Sequence, residues 1–597
     1  GCDPFAQTQR SKLQHRRARI NQQINKEMRM RAGAENLFAT TNNKVKETVA
    51  LELSFVNSNL QLLKEELEEL NSNMEAYQTD EAVNVPMIPL GLKETKEVDF
   101  TVSIQQDFIC DHYGEDSSLY DKEIKELMEL RQQAMRTPSR NQAGLELLME
   151  YYNQLYYLDQ RFFPAHRNLG VQFHYDSLTG VPSCQRALAF EKGSVLFNIG
   201  ALYTQIGARQ DRSATCGIDR AIDAFQRAAA FNYLKENFSN APSLDMSCPS
   251  LCMLVRLMVA QQECVFEHVT LTTQDTHFTS QLCLAQEAAR VSDVYLLVQQ
   301  TMTQPLMKDY VPFSWASMVQ VKSEHFRALS HYYAAAALCD HVKAHLRCAV
   351  IRHEEALRVH SLCKILRKMD ILQDVLSLTH KRSLDKYSEL DREDDFDETA
   401  EAPEIQHTHR KPDITPPNFS TVQVTDIFQR LGPLSVFCAR ARWGPVRLIC
   451  LQRREGGLGL TLRGDSPVLV AGVIPGGCAE AGLREGDYIV AVDGQDCKWA
   501  KHGEVVHMLK SCSDKGVEIS VVTLHSHDVE RRAILPSHSI NKENTRQRLL
   551  SGAKGQSSAS LLNWNRKKKR EGSGVTKRIG STFSLSFGSI RDTEAMY

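Results

Sequence analysis

The sequence predicts a multidomain chain: an N-terminal antiparallel α-helical hairpin, a large all-α domain, a small α/β domain and an irregular tail. Three observations predict it. At 597 residues the chain is too long for a single core. Its apolar residues follow helical spacing from Ser11 to about Glu389, then change to strand-like alternation between Arg447 and Leu524. The last 70 or so residues are rich in Ser, Lys and Arg, with little periodicity. The boundaries read as a hairpin at 11–78, a helical domain at 86–390, a linker at 391–446, the α/β domain at 447–524, and a tail at 525–597 expected to be disordered.

Bulk composition narrows the function. Hydrophobic residues make up 42% and charged residues 24%, ordinary for globular protein, and the formal net charge is -2. That balance argues for no nucleic-acid partner. Sixteen cysteines show no disulfide rhythm, and the closest pair, Cys248 and Cys252, has helical spacing with no C-x-x-C anywhere. Reduced, mostly buried thiols in a cytosolic chain are expected. No apolar run reaches the ~18 residues of a membrane helix, and no signal-peptide core is read at the N-terminus.

In the hairpin, Val49, Leu53, Val56, Leu60, Leu63, Leu67 and Leu70 recur at 4-3-4-3-4-3 spacing, a heptad seam that buries only against another helix. Leu13, Ile20, Ile24 and Met28 supply the facing stripe, and Gly33 is expected to end the first helix in a left-handed cap. The same seam would serve a plain coiled coil or a dimerisation stub. The words Ile24-Asn25-Lys26-Glu27 and Arg31-Ala32-Gly33-Ala34-Glu35-Asn36-Leu37 resemble the homology-region-1 repeat of Rho effectors such as the protein-kinase-N family. That resemblance implies binding of a GTP-bound Rho-family GTPase, whose switch loops are ordered by the γ-phosphate. Lys26, Arg29 and Arg31, with Glu35 and Asn36 from the second word, are the candidate contacts; a solvated helix face is the alternative for each.

The central region opens on Pro86-Met87-Ile88-Pro89-Leu90-Gly91-Leu92-Lys93-Glu94-Thr95 and continues through long Ala-, Leu- and Tyr-rich helical stretches. Small residues at helical spacing let helices approach closely, so pattern alone predicts a long helical scaffold. Phe190-Glu191-Lys192-Gly193-Ser194-Val195-Leu196-Phe197-Asn198 and Met258-Val259-Ala260-Gln261-Gln262-Glu263 resemble the Bro-type domain of the Alix family. The resemblance implies a curved helical domain that, in Alix relatives, binds a C-terminal amphipathic helix of ESCRT-III subunits. Leu254, Leu257 and Met258 lie near the matching stretch and are nominated as a partner patch, the alternative being core. Phe173–Asp176, Ala228–Phe231 and Gln261–Glu263 each read one residue shorter than the family text, and the segment near Asp340 to Lys343 also looks shortened. One residue lost inside a helix turns everything beyond it by ~100°. Either local bulges absorb these losses or the text itself is defective there.

Gly457-Leu458-Gly459-Leu460 and Gly486-Asp487-Tyr488-Ile489-Val490-Ala491-Val492-Asp493-Gly494, with Gly482-Leu483-Arg484 between them, resemble a PDZ domain, a small partly open β-barrel. Glycines let backbone N–H groups at Leu458, Gly459 and Leu460 converge on one point, which suits a carboxylate. The resemblance gives Arg453, or Arg454, as a water-bridging cation. A ligand tail is expected to add as a strand beside Leu460 to Arg463. Leu458, Leu460, Leu462, Val506 and Leu509 are expected to line the pocket for its last side chain. His502, in register with Val506 and Leu509, is placed to accept from a Ser or Thr hydroxyl, so ligands ending Ser/Thr-x-apolar are predicted.

The tail carries Arg566-Lys567-Lys568-Lys569-Arg570 beside Trp564, a weak peripheral contact for anionic lipid, a nuclear-import word or simply a solvated run. Ser581, Ser584, Ser586 and Ser589 are phosphorylation candidates on composition. No P-loop, G-x-S-x-G elbow or kinase set occurs, and His353-Glu354 lacks a second histidine at zincin spacing. No enzyme, metal or cofactor is expected. The combination of hairpin, Bro-type and PDZ words resembles the rhophilin family. This implies a cytoplasmic Rho effector scaffold linked to actin, with perinuclear, endosomal or cytoskeletal association; the alternative is an ESCRT-III-linked trafficking adaptor.

Overall fold

A computed structural model describes residues 9–40, 43–71, 84–163, 170–177, 182–228, 230–238, 243–272, 277–308, 311–337, 341–390, 401–407, 413–452, 457–511 and 516–525. The hairpin consists of α1 (Gln9–Thr40) and α2 (Asn43–Asn71). The heptad seam closes between these two helices: Ile20, Ile24, Val56, Leu60 and Leu67 are buried together, with Met28, Leu63 and Leu70 half-buried against them. Each such fully buried aliphatic side chain stabilises by about 1.5–3 kcal/mol. Of the expected stripe, the Leu13 side chain lies outside the described residues. The Gly33 cap is corrected, because α1 runs through Gly33 without a break. Ala32, Ala34 and Glu35 favour helix strongly enough to offset the ~1 kcal/mol that an interior glycine costs.

The central domain is helical almost throughout. Its elements are α3 (Thr101–Ile104), α4 (Asp121–Arg131), α5 (Gln142–Phe162), the ribbon β1 (Phe173–Asp176) and β2 (Pro182–Gln185), α6 (Leu188–Ala208), α7 (Thr215–Arg227), α8 (Ala230–Asn237) and α9 (Cys248–Ala260). They continue with α10 (Cys264–Thr272), α11 (Phe278–Met302), α12 (Pro305–Lys308), α13 (Phe313–Ala337), α14 (Val342–Leu362) and α15 (Asp370–Leu390). Helix α6 is buried nearly all round. Its glycines explain how: a Cβ at Gly200 would sit 2.8 Å from the Phe231 ring, and one at Gly207 would sit 3.0 Å from Phe225. Only the bare backbone allows α7 and α8 to approach so closely.

Charge enters this core in paired form. Arg131 Nε donates to Glu191 Oε1 at 2.8 Å, and the Tyr151 and Tyr175 hydroxyls donate to the same carboxylate. Lys322 Nζ donates to Glu263 at 2.8 Å, and Tyr295 joins them. Removing one member of such a buried pair costs about 3–5 kcal/mol, because the other charge is left without compensation.

The shortened segments coincide with breaks at three of four places. A 3₁₀ turn at Gln261–Glu263, with Gln262 at φ −72° and ψ 17°, separates α9 from α10. Helix α7 stops at Arg227 before α8 starts at Ala230. His341, at φ 60°, sits left-handed ahead of α14. At Phe173–Asp176 the strand pairs with Pro182–Gln185 in unbroken register.

The linker reading of 391–446 is corrected over its second half. Phe419, Phe428, Leu431, Val436 and Phe437 are buried. Arg161, itself buried, donates to Asp426 Oδ2 at 2.9 and 2.7 Å and to the carbonyls of Gly432 and Phe437. This stretch is a strap belonging to the helical domain. Its apolar side chains outweigh its polar, proline-bearing composition.

The last described unit is a sheet in the order β3 (Arg447–Leu451), β8 (Val517–Thr523), β6 (Asp487–Val492), β5 (Leu469–Val473), β4 (Leu460–Arg463), with β7 (Gln495–Asp496) on β6. Helix α16 (His502–Lys510) packs over a core of Leu451, Val468, Val470, Ile489, Val505, Leu509, Ile519 and Val521.

Candidate functional sites

The sheet ends on β4, which pairs with β5 along one side and, among the described residues, has no strand along the other. Its approach is the turn at Gly457 and Gly459, whose φ values of +88° and +71° lie in the left-handed region that glycine tolerates. A Cβ at Gly459 would also come within 3.2 Å of the Gly477 Cα. The sequence therefore needs glycine at that point twice over, for its backbone angle and for its space. Leu458, Leu460 and Leu462 are half-buried against the core, as is Met508.

On α16, His502 is exposed at the first turn and Val506 is half-buried one turn later. Residues spaced i, i+4 and i+7 share a helix face, so His502, Val506 and Leu509 point the same way. Leu509 is buried in the core, however, and forms the floor under that face. Two bonds fix the start of the helix: the Lys501 N–H donates to Glu504 at 2.7 Å, and the His502 N–H donates to Asp465. Arg453 and Arg454 lie outside the described residues. The arrangement offers an unpaired strand edge, a glycine turn able to aim N–H groups at an anion, and an imidazole above an apolar floor.

On the hairpin, Lys26, Arg29, Arg31, Glu35 and Asn36 are all exposed on α1. They do not form one patch. At ~100° per residue Lys26, Arg29 and Asn36 share one side, while Arg31 and Glu35 continue the line of Ile20 and Ile24. Arg31 and Glu35 are paired with each other at 2.8 Å. At its N-terminal end the hairpin is tied to the helical domain, where Arg17 donates to the Leu92 carbonyl at 2.7 Å and stands 3.6 Å from Glu94. A Cβ at Gly91 would occupy the space of that guanidinium.

The nominated patch on the helical domain is corrected. Leu254, Leu257 and Met258 are 1%, 0% and 2% exposed, so all three belong to the core and present nothing to a partner. Their spacing marks one face of α9, but the face turns inward.

Strong electrostatic perturbation also lies in the core and away from the groove. Burial pushes His325 and His331 down to about 3 and His353 to about 2, so each is held neutral. Lys322 is lowered by burial against the opposing pull of Glu263. Such groups buttress packed helices. Among the described residues no group of three or more His, Cys, Asp or Glu could hold a metal ion, and no helix is long and apolar enough to cross a membrane. The basic run at 566–570 and the tail serines lie outside the described residues.

The sequence reading missed the seam between the helical domain and the sheet domain. Lys498 Nζ donates to Glu115 Oε1 at 2.7 Å, and Trp499 Nε1 donates to the Gln429 carbonyl at 2.8 Å. Trp443 packs against His112, Tyr113 and Phe437. The signal available was the run of aromatic residues inside the presumed linker.

Comparison with known proteins bears on all three units. Family models match residues 16–78 as an Hr1 repeat, 87–444 as a BRO1-like domain and 448–524 as a PDZ domain. Human Rhophilin-1 is 54% identical over 634 aligned residues, covering 95% of this chain and 92% of that protein. Bovine Rhophilin-2 is 47% identical, covering 98% and 96%. The solution structure of the PDZ domain of mouse Rhophilin-2 is 46% identical over 15% of this chain and 80% of that one, with a TM-score of 0.14. The three modules are scaffold and adaptor modules, not catalytic ones, and together they make a Rho-linked scaffold. With relatives at about half identity along nearly its whole length, the chain belongs to the rhophilin family.

Proposed function

We propose that the chain is a Rho effector scaffold in which the hairpin engages a GTP-loaded Rho-family GTPase while the PDZ groove holds the C-terminal tail of another protein. Co-occupancy raises the effective concentration of each partner for the other. The output is regulation of the actin cytoskeleton from a cytoplasmic, cytoskeleton- or endosome-associated position. The observation that carries this reading is the β4 edge, which among the described residues has no strand neighbour, beside the positive-φ turn at Gly457 and Gly459. An extended tail adds there as a strand, its carboxylate at the turn and its third-last hydroxyl donating to His502. On the hairpin, closure of the heptad seam between α1 and α2 leaves Lys26, Arg29 and Asn36 facing outward for a GTPase. The ESCRT-III alternative rests on the BRO1-like domain but needs a surface other than Leu254, Leu257 and Met258, which are core.

Titrating the full chain with a synthetic decapeptide ending Thr-x-Val tests the groove. His502→Ala should weaken that peptide about fivefold, the worth of one neutral hydrogen bond of about 1 kcal/mol, with no change in melting temperature. Equal affinity for parent and variant would remove His502 from the reading.

A further inference from the structure

The turn that starts α16 has two sides. One side belongs to the groove: Ser466 Oγ donates to the Trp499 carbonyl at 2.7 Å, the Ser466 N–H donates to the Ala500 carbonyl at 3.2 Å, and Asp465 accepts from the His502 N–H. These bonds join the end of ligand-edge strand β4 to the helix bearing His502. The other side belongs to the helical domain. Lys498 is almost fully enclosed there, its ammonium 2.7 Å from Glu115 and 5.6 Å from the centre of the Phe437 ring. Glu115 is in turn held by the Tyr120 hydroxyl. Trp499 remains 52% exposed, yet its indole N–H is used on Gln429 of the strap.

A second attachment lies at the far edge of the sheet. Trp443 bridges to Leu524, the Gly444 N–H donates to the Thr523 carbonyl at 3.0 Å, and the His525 N–H donates to the Arg442 carbonyl at 2.9 Å. The strap therefore pairs alongside the end of β8, on the side that β3 takes further along, and Arg161 anchors the strap in the helical domain. The sheet domain is gripped at two points, and one of them is the turn from which the ligand-reading helix grows.

We propose that this seam positions α16 for ligand, so that docking of the PDZ domain on the helical domain sets the affinity of its groove. Lys498, Trp499 and Glu115 are positioning residues: they touch no ligand and act by holding the 498–502 turn in the conformation that presents His502. A turn held in advance loses less freedom when a tail binds. By linkage, a bound tail must strengthen docking by the same factor. This rests on the reading of the groove as a tail-binding site.

The test uses the full chain and three variants: Lys498→Glu, Glu115→Lys and the double exchange that restores the pair with its sense reversed. Against the decapeptide ending Thr-x-Val, each single variant should bind about three- to tenfold more weakly, and the double exchange should recover part of that loss, held short of full recovery by Asp496, which stands 3.4 Å from the Lys498 ammonium. Amide exchange along Glu504–Lys510, measured without peptide, should speed up by a similar factor in the singles and recover in part in the double. If Lys498→Glu does not fold, Trp499→Phe removes only the bond to Gln429 and should show the same two changes at smaller size. Unchanged affinity and exchange in folded single variants would overturn the proposal, and so would tighter peptide binding, which would mean that the seam occludes the groove. Should the parent chain bind no peptide, the tail-binding reading fails, and the exchange measurement alone decides whether the seam governs α16.

Discussion

The PDZ groove and the nominated face of α9 were drawn from equally short words, and the structure treats them oppositely. Leu458, Leu460, Leu462 and Val506 stay half-buried around an unpaired strand edge, whereas Leu254, Leu257 and Met258 vanish into the core. The difference lies in what makes each surface. A groove beside an edge strand is defined by backbone: the glycine turn, the unpaired side of β4 and the register of one helix. A patch on a helix within a stacked array is defined by which neighbour covers it, and no spacing along one helix reports that. A word that specifies backbone geometry therefore predicts which side chains stay at the surface better than one that specifies only an apolar face.

The comparison breaks most visibly at Leu257. If it is core, Leu257→Ala should destabilise the helical domain by about 2–5 kcal/mol, read as a lower melting temperature of the full chain, while peptide affinity in native buffer stays unchanged. An unaltered melting temperature together with loss of a protein partner would make the face a site after all.

Acid sharpens the contrast next. His325, His331 and His353 are held neutral by burial, their folded values near 3, 3 and 2 against ~6.5 unfolded. Their contribution is therefore fully present above pH ~6.5 and drains as pH falls toward 3. Each should forfeit ~2 kcal/mol between pH 6.5 and 5. Melting temperature measured from pH 7.5 to 5 should fall steeply in the parent and less steeply in His353→Leu, which removes one such group. Parallel profiles would show that these rings carry no pH linkage. The smallest expected effect is the fivefold loss of peptide affinity in His502→Ala, which leaves stability untouched because that ring is solvent-exposed.

These contrasts also show which parts of the chain were legible. The heptad seam could be read because period 3.5 demands a partner helix, and α1 supplies it through Ile20, Ile24 and Met28. The PDZ turn could be read because positive φ at Gly457 and Gly459 nearly dictates the residue. Gly33 misled because a local cap preference competes with the continuing helix on both sides, and the helix wins. The strap misled because proline and polar residues dominate its composition, while Phe419, Phe428, Leu431 and Phe437 decide where it goes. The Lys498–Glu115 seam joins residues 383 positions apart, a pairing that only the folded chain reveals.

The central claim is that one chain carries both partners at once. The direct measurement immobilises the decapeptide ending Thr-x-Val, adds the full chain, and then offers Rho loaded with a GTP analogue or with GDP. Retention of the GTP-analogue form alone, absent when the chain is omitted and reduced up to about fivefold when it carries His502→Ala with peptide below saturation, is the predicted result. Equal retention of both nucleotide forms, or of neither while the chain itself stays bound to the peptide, would contradict it.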